Sequence, residues 1–227
     1  RLVVEAAENQ GVRNFIYLSS TKAIGASNIK EEISEYFQSS PKDIYGKTKR
    51  KAELFLLNFA KNSAMDISII RSPLVYGKNV KGNLKKMIRG IKVNKFPRLK
   101  VNNKRSMIHV DDLCRAMFLV ANSISENKIF LVTDCFVYST SNIYDTISSA
   151  LNKKNSTRNF PLLLLLVLAY FGSFINYLFR FPFDKKMYDK LTQNEYFSSI
   201  EIKKLGFVPK NSFYTSINEM INVNYEH

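Results

Sequence analysis

Short apolar runs alternate with longer amphipathic stretches along most of the chain. The runs 15–20, 67–71 and 129–133 have the length and composition of strands buried on both faces of a sheet. Between and after them, apolar residues recur at helical spacing, which predicts helices over 2–10, 43–61, 83–90, 111–121, 140–151, 201–206 and 213–223. Strands that alternate with helices predict an α/β fold, in which helices flank a parallel sheet.

Several residues mark predicted helix ends. Gly11 is expected to end the first helix in a left-handed conformation, and the cluster 139–141 to cap the helix that follows it. Asp111 and Asp112 lie at a helix start, where we expect one to act as a cap and the other to make a structural hydrogen bond. His109, inside an apolar run just before them, is interpreted as a structural histidine.

Residues 161–179 differ from the rest of the chain because they are almost entirely apolar. Leu162 to Phe171 is an unbroken apolar run, and the whole segment has about the length of a membrane span. The helices predicted after it resemble those of the α/β body, which favours a buried or interfacial helix. A membrane-surface anchor and a true span are the two alternatives.

The composition restricts the class of protein. The 227 residues are enough for one large domain, or for a domain with a small lobe, and the formal net charge is +15. The lysines are scattered and the aromatic signatures of RNA-binding modules are missing, so nucleic-acid binding is not predicted. The charge favours attraction of an anionic substrate or of an acidic membrane surface.

Cysteine, histidine and the first residue give three further expectations. Cys114 and Cys135 are expected to be small buried hydrophobic residues, and so few cysteines indicate a reducing, cytoplasmic compartment. With His109 and His227 as the only histidines, no cluster has metal-ligand spacing and no metal site is predicted. The chain begins at Arg1 inside a predicted helix, so we expect it to be either the C-terminal part of a longer protein or a processed product.

Tyr45 and Lys49 are the candidate catalytic pair. They are four residues apart in the helix predicted from Asp43, so both side chains can lie on one helix face. A cation next to a phenol favours the phenolate, which suits acid/base chemistry. Ser20 and Thr21 end the first strand at the carboxyl edge of the sheet, where parallel sheets bind ligands. An ordinary surface pair of Tyr and Lys is the alternative interpretation.

Three further motifs follow this pair in order. They are Arg71-Ser-Pro-Leu-Val-Tyr-Gly77, Arg105-Ser-Met-Ile-His-Val-Asp-Asp112 and Leu205-Gly-Phe-Val-Pro209. With these motifs the chain resembles the extended branch of the short-chain dehydrogenase/reductase superfamily, the NAD-dependent epimerase/dehydratase family, and within it the UDP-galactose 4-epimerase-like enzymes. The run from Pro73 to Asn83 looks most like that of reductases which form UDP-N-acetylquinovosamine from a 4-keto-6-deoxy sugar.

The resemblance implies a role for each catalytic candidate. Tyr45 would exchange a proton with a sugar oxygen while hydride moves to or from the nicotinamide of NAD or NADP. Lys49 would favour the phenolate and hydrogen-bond the nicotinamide ribose. Ser20 would bond the same substrate oxygen, and Thr21 is the alternative for that place.

The resemblance also implies binding residues. Pro73 and Leu74 would lie beside the nicotinamide, Asn83 would bond the phosphates of a UDP-sugar, and Arg105 would bind its pyrophosphate. Leu74 stands where the epimerases usually carry an Asn, so 4-keto reduction competes with 4-epimerisation as the predicted reaction. A helix cap for Asn83 and a surface charge for Arg105 are the alternatives.

The expected organisation follows from the same resemblance. Residues 1–76 would be the C-terminal part of a Rossmann-like domain, and residues 77–227 mostly a small substrate-binding lobe, with the segment around 107–135 returning to the sheet. None of the 8 glycines forms a Gly-x-x-Gly-x-x-Gly motif. We therefore expect the dinucleotide pyrophosphate site and the first strands to lie outside the chain, and the chain alone to bind NAD poorly.

The predicted function is that of a UDP-sugar 4-epimerase or 4-keto reductase in surface-polysaccharide synthesis. A homodimer through the helix that carries Tyr45 is expected. The alternative is a non-catalytic fragment or a membrane-surface interaction module that uses residues 161–179.

Overall fold

The computed structural model describes residues 1–25, 28–37, 39–123, 128–153, 159–176 and 183–222, which form two compact units. The first unit contains Arg1–Tyr76, Ser106–Phe136 and Tyr196–Ser212, and the second contains Gly77–Arg105, Val137–Glu195 and Phe213–His227. Residues 196–212, which the sequence analysis left within the lobe, belong to the first unit.

The elements within the described residues run in the following order. The strands are β1 (Asn14–Ser20), β2 (Asp66–Ser72), β3 (Leu74–Tyr76), β4 (Met107–His109) and β5 (Ile129–Leu131). The helices are α1 (Leu2–Asn9), α2 (Ile44–Ala60), α3 (Gly82–Lys92), α4 (Val110–Ala121), α5 (Thr140–Ala150), α6 (Leu162–Ile175), α7 (Lys185–Thr192), α8 (Ile200–Lys204) and α9 (Phe213–Ile221).

A parallel sheet organises the first unit and confirms the predicted α/β class. Its strand order is β1-β2-β5. The β1/β2 register runs from Asn14 opposite Asp66 to Ser20 opposite Ser72, so these two strands end together. A second parallel pair, β3 with β4, places Leu74 opposite Met107. β5 lies within the apolar run 129–133 that predicted a strand, whereas β3, only three residues long and directly after β2, was not predicted.

The core of the first unit lies where α4 and α8 pack on the sheet. Ile70 of β2, Ile108 of β4 and Ala116 of α4 belong to one buried apolar cluster, to which Ile202 of α8 and the following Phe207 contribute. Residues 196–212 therefore belong to this unit because their apolar side chains complete its core.

The helix caps in the structure agree only in part with those predicted from the sequence. Gly11 has φ +69°, as expected after α1, and Ser139 caps α5 by accepting a hydrogen bond from the Asn142 N–H at 3.0 Å. The expectation that Asp111 or Asp112 caps α4 is wrong. His109, buried at 3% exposure, is the cap, and its Nδ1 accepts from the Asp111 N–H at 3.2 Å.

Asp112 makes the structural hydrogen bonds that were expected of one of the two aspartates. Its buried carboxylate accepts from the backbone N–H groups of Lys210, at 3.1 Å, and Asn211, at 2.9 Å, and from the guanidinium of Arg115. Burial acts to raise the pKa of Asp112, but the hydrogen bonds from Arg115 and from these backbone groups outweigh it, so the pKa lies below its ordinary value.

The expectation that Cys114 and Cys135 are buried is wrong, because both are exposed. On α2, Leu54 and Phe55 are exposed, whereas Leu56 faces the core. Of the apolar segment 161–179, residues 177–179 lie outside the described residues. Among the described helices, none combines the length and the apolar character that crossing a membrane requires.

Glu35 is a carboxyl in the first unit that is not fully hydrogen-bonded. Its Oε1 accepts from the Leu131 N–H at 3.2 Å, but its buried Oε2 has no hydrogen-bond partner among the described residues. Burial raises the pKa of Glu35. Backbone N–H groups of Glu35, Leu131 and Glu201 oppose this rise, and the negative charge of Glu201 adds to it.

We expect Glu35→Gln to raise the free energy of unfolding at neutral pH by about 1 kcal/mol, because an amide avoids burying a poorly satisfied charge. A carboxyl with a raised pKa in the folded state stabilises the fold fully below its unfolded pKa of about 4.5, and this contribution is lost as the pH rises through the folded pKa. Urea unfolding between pH 4 and 8 should show the gain growing with pH. A gain independent of pH would contradict this prediction, and Glu8→Gln, at an exposed position, is the control.

Candidate active site

Tyr45 and Lys49 lie in the first two turns of α2 and share one face of it. The Lys49 Nζ donates a hydrogen bond to the Leu18 carbonyl of β1 at 2.9 Å, and it lies 6.0 Å from the centre of the Tyr45 ring. The Tyr45 side chain is 55% exposed. The ammonium is therefore fixed to the sheet, while the phenol beside it is open to a ligand.

A second phenol lies near the same ammonium. The ring centre of Tyr17, on β1, is 4.9 Å from the Lys49 Nζ. Burial raises the pKa of Tyr17, and the negative charge of Glu53 raises it further, so this phenol stays protonated. Tyr17 is half-buried, which leaves Tyr45 as the accessible phenol of the two.

The start of α2 approaches the end of β1 closely because residue 46 is glycine. Asp43 caps the helix by accepting from the Gly46 N–H at 2.9 Å. A Cβ at Gly46 would lie 2.5 Å from the Lys22 carbonyl oxygen and 2.8 Å from the Pro41 Cβ. Only glycine fits this approach without a shift, so Gly46 brings the turn that carries Tyr45 against the residues that follow β1.

The hydroxyl residues at the end of β1 continue into a 3₁₀ turn, Thr21–Ala23, on which α2 packs. The Ser20 Oγ accepts from the Lys22 N–H at 3.3 Å, so Ser20 caps this turn, and its side chain is half-buried. Thr21 is buried at 5% exposure. Of the two candidates, Ser20 is the more accessible to a substrate.

A buried ion pair fastens α2 to the strands. The Glu53 Oε1 accepts from the Arg71 Nε at 3.0 Å, and its Oε2 accepts from the Arg71 Nη2 at 2.7 Å. The Ser19 Oγ donates to the same Glu53 Oε1 at 2.6 Å. Arg71 belongs to β2 and Ser19 to β1, so this carboxylate connects α2 with both strands, two turns beyond Tyr45.

The end of β2 carries the two residues expected beside the nicotinamide. Pro73 follows β2 directly, at the same edge of the sheet as Ser20, since Ser20 lies opposite Ser72 in the register. Leu74 begins β3, and both residues are half-buried. Pro73 and Leu74 therefore lie at the carboxyl edge, where ligands of parallel sheets bind.

The second unit holds the two residues expected to bind the sugar nucleotide. Asn83 is exposed in the first turn of α3, and the cap position is Lys81, so Asn83 is not the helix cap. Arg105 is not an exposed surface charge, because its side chain is 13% exposed. Its Nη2 lies 3.3 Å from the Glu195 Oε2, and its Nη1 donates to the Lys190 carbonyl.

Sequence reasoning missed Glu53 and Gly46. Glu53 had a signal, because residues 45, 49 and 53 recur at one helical turn and a buried strand arginine needs a counter-charge. Gly46 had none, since its role depends on atoms of Lys22 and Pro41 that only the fold brings near. No group of three or more His, Cys, Asp and Glu residues that could hold a metal occurs in the part of the chain described.

Comparison with known proteins identifies the family of the chain. Residues 1–133 match the model of the NAD dependent epimerase/dehydratase family, more than half of the chain. The chain belongs to this family.

Two of the relatives that the chain matches are 4-epimerases. The UDP-glucose 4-epimerase of Vibrio cholerae is 31% identical over 159 residues, which are 66% of this chain and 47% of that protein, so the chain spans about half the length of this relative. The N-acetyl-α-D-glucosaminyl-diphospho-ditrans,octacis-undecaprenol 4-epimerase of Escherichia coli O157:H7 is 21% identical over 100% of this chain and 70% of that protein.

The crystal structure of UDP-glucose 4-epimerase from Thermotoga maritima, solved with UDP-glucose, is similar in fold. It superposes with a TM-score of 0.74 at 18% identity, over 97% of this chain and 66% of that one. At this identity the likeness concerns the fold alone. It agrees with the Rossmann-like α/β class predicted from the sequence.

Proposed function

We propose that the chain contributes the catalytic and sugar-nucleotide-binding residues of an NAD(P)-dependent 4-epimerase or 4-keto-sugar reductase that acts on a UDP-sugar. The observation that carries this proposal is the exposed Tyr45 beside Lys49 on α2, together with Ser20 at the end of β1. Surface-polysaccharide synthesis is the process proposed for such a product.

The residues present fit one part of a nicotinamide dinucleotide. The Lys49 ammonium, immobilised on the Leu18 carbonyl, and the open edge at Pro73 suit a ribose and a carboxamide. The sequence contains no Gly-x-x-Gly-x-x-Gly turn for the dinucleotide's pyrophosphate. When bound, the cofactor would accept or supply the hydride at the sugar C4.

The chain's own residues would handle the proton. The Tyr45 Oη would take a proton from the C4 hydroxyl during oxidation, or give one to the C4 oxygen during reduction. The Lys49 ammonium would stabilise the phenolate by its charge, and the Ser20 hydroxyl would donate a hydrogen bond to the same oxygen. Thr21 is buried, which supports Ser20 for this role.

The binding of the sugar nucleotide would fall to the second unit. Asn83 is exposed at the start of α3, where backbone N–H groups and the helix dipole favour a phosphate. Arg105 suits a pyrophosphate through its guanidinium fork, but Glu195 already pairs with it. A diphosphate would therefore bind Arg105 in competition with Glu195, and we expect Glu195→Gln to strengthen binding of UDP.

A lipid-linked sugar is a second candidate substrate. Its support is the match of the E. coli relative over 100% of this chain, since that protein's name specifies a sugar joined through a diphosphate to a polyprenol. The full-length protein, purified and incubated with NAD and either UDP-N-acetylglucosamine or its polyprenyl-diphosphate counterpart, separates the two candidates. Conversion of neither substrate, with NAD, NADH or NADPH, would favour the non-catalytic alternative.

The homodimer expected from the resemblance is also proposed. Exposed apolar side chains on α1 and α2 support it, namely Leu2, Val3, Leu54 and Phe55. A charge placed there would be buried without a partner, so Leu54→Glu should weaken self-association roughly tenfold or more. Light scattering coupled to size exclusion measures this, with Val208→Glu on an exposed loop as control. Equal dimerisation of wild type and the Leu54 variant would exclude α2 as the interface.

A further inference from the structure

Helix α6 is apolar on all sides but buries only a narrow stripe. Leu165, Ala169 and Gly172, spaced at i, i+4 and i+7, are its buried residues. A helix that is apolar all round normally lies inside a protein core or a membrane. The structure therefore leaves α6 with far more apolar surface than its own unit covers.

The uncovered surface is large and free of charge. No Asp, Glu, Lys or Arg occurs between Pro161 and Asn176. The exposed large apolar side chains of α6 form one broad face, away from the buried stripe: Leu163, Leu164, Val167, Leu168, Tyr170, Phe171 and Phe174. Contiguous apolar surface of this kind marks an interaction site, in contrast to the single apolar residues found on most protein surfaces.

Positive charge is concentrated in the unit that carries α6. The second unit has 18 Lys and Arg against 6 Asp and Glu, a net +12 of the chain's +15. Its first segment, Gly77–Arg105, contains 11 cationic residues and no acidic one. Helix α7 packs on α6 and presents the exposed Lys186 and Lys190.

We propose that α6 docks on the surface of an anionic phospholipid bilayer and lies in the plane of the interface. The apolar side chains would enter the boundary of the acyl chains, and the surrounding cations would meet acidic headgroups. Tyr170 suits this boundary because its ring is apolar and its hydroxyl can stay in contact with water.

Two other partners for the same surface fit less well. The 14 residues of α6 rise by about 21 Å, less than the roughly 30 Å of a hydrocarbon core, so the described helix is too short to span. A second copy of the chain would bring a unit with a charge of +12 against an identical one, which opposes association. An anionic lipid surface has the complementary sign.

The sequence permits a direct test, because it contains no tryptophan. Phe171→Trp places a single fluorophore on the exposed face of α6, and Phe118→Trp places one at an exposed position of α4 as a matched control. Vesicles of phosphatidylglycerol and phosphatidylcholine should shift the emission of the Phe171 variant to shorter wavelength and leave that of the Phe118 variant unchanged. Vesicles of phosphatidylcholine alone should give a smaller shift, as should high salt.

Flotation with the same vesicles is the second measurement. Leu164→Glu combined with Phe171→Glu should lower the bound fraction about tenfold or more, and Phe118→Glu should leave it unchanged. The melting temperatures of the variants show whether they fold, and if the double variant does not, the tryptophan probe decides.

Three results would overturn the proposal. They are an unchanged emission of the Phe171 variant with anionic vesicles, equal flotation of wild type and the folded double variant, and an emission shift that depends on protein concentration without lipid. The last would identify a second copy as the partner of α6. Docking of α6 requires no catalysis, so these results are independent of the enzyme assay.

Discussion

Tyr45→Phe is expected to lower the turnover of a UDP-sugar by about 10²- to 10⁴-fold, the usual contribution of a general acid/base. The substitution removes one hydroxyl from a ring that is already half-exposed, so the fold and the packing of α2 should not change. The loss should fall on kcat more than on KM, because the proton moves in the chemical step and substrate binding precedes it.

The measurement is steady-state conversion of the UDP-sugar, with NAD present and the product resolved by chromatography. Tyr214→Phe, which removes a hydroxyl from a partly exposed ring of α9, is the matched control and should retain full activity. Ser20→Ala and Thr21→Ala distinguish the two hydroxyl candidates, since only the residue that bonds the substrate oxygen should lower kcat. Undiminished turnover in the Tyr45 variant would refute the proposed role of this phenol.

Glu53→Gln is expected to destabilise the fold by about 3 kcal/mol or more, because it leaves the buried Arg71 guanidinium without a counter-charge. Both side chains are almost completely buried, at 0% and 2% exposure, so water cannot replace the lost partner. The pair also holds α2 against β1 and β2. A surviving fraction of the variant should therefore have a less well positioned Tyr45 and lower activity.

Urea unfolding of wild type and variant measures the loss. Glu5→Gln, which breaks an exposed pair with Arg1, is the matched control and should change the free energy of unfolding far less, because water screens this pair. The double variant Glu53→Leu with Arg71→Met should recover much of the stability, since it removes both buried charges. A change below 1 kcal/mol for Glu53→Gln would show that the ion pair is not needed to stabilise the unit.

Local patterns in the sequence were sufficient for the fold class and for most long elements. The run at 15–20 became β1, and the stretch from Asp43 to Lys61 became α2 with Asp43 as its cap. These elements depend on the spacing of apolar residues and on capping groups a few residues away, and both are local features of the sequence. The three residues of β3 show no such period, and this strand was not predicted.

Some features of the candidate site were likewise visible in the sequence, and others depended on tertiary packing. The spacing of Tyr45 and Lys49 is visible in one dimension, and the motifs around it connect the pair with a family that the family model confirms. The Lys49 contact with the Leu18 carbonyl and the pairing of Arg105 with Glu195 join residues far apart in the chain. The exposure of α6 is likewise not visible in the sequence. Each depends on which segments pack together.

The residue types and their order were therefore enough to establish an α/β protein of the epimerase/dehydratase family and to single out its candidate phenol. The accessibility of that phenol was decided in three dimensions, where Gly46 lets α2 approach β1 and Glu53 fastens it to Arg71. Tertiary packing also decided that only one stripe of the surface of α6 is buried. Burial and long-range contacts depend on the whole fold, and no local pattern contains them.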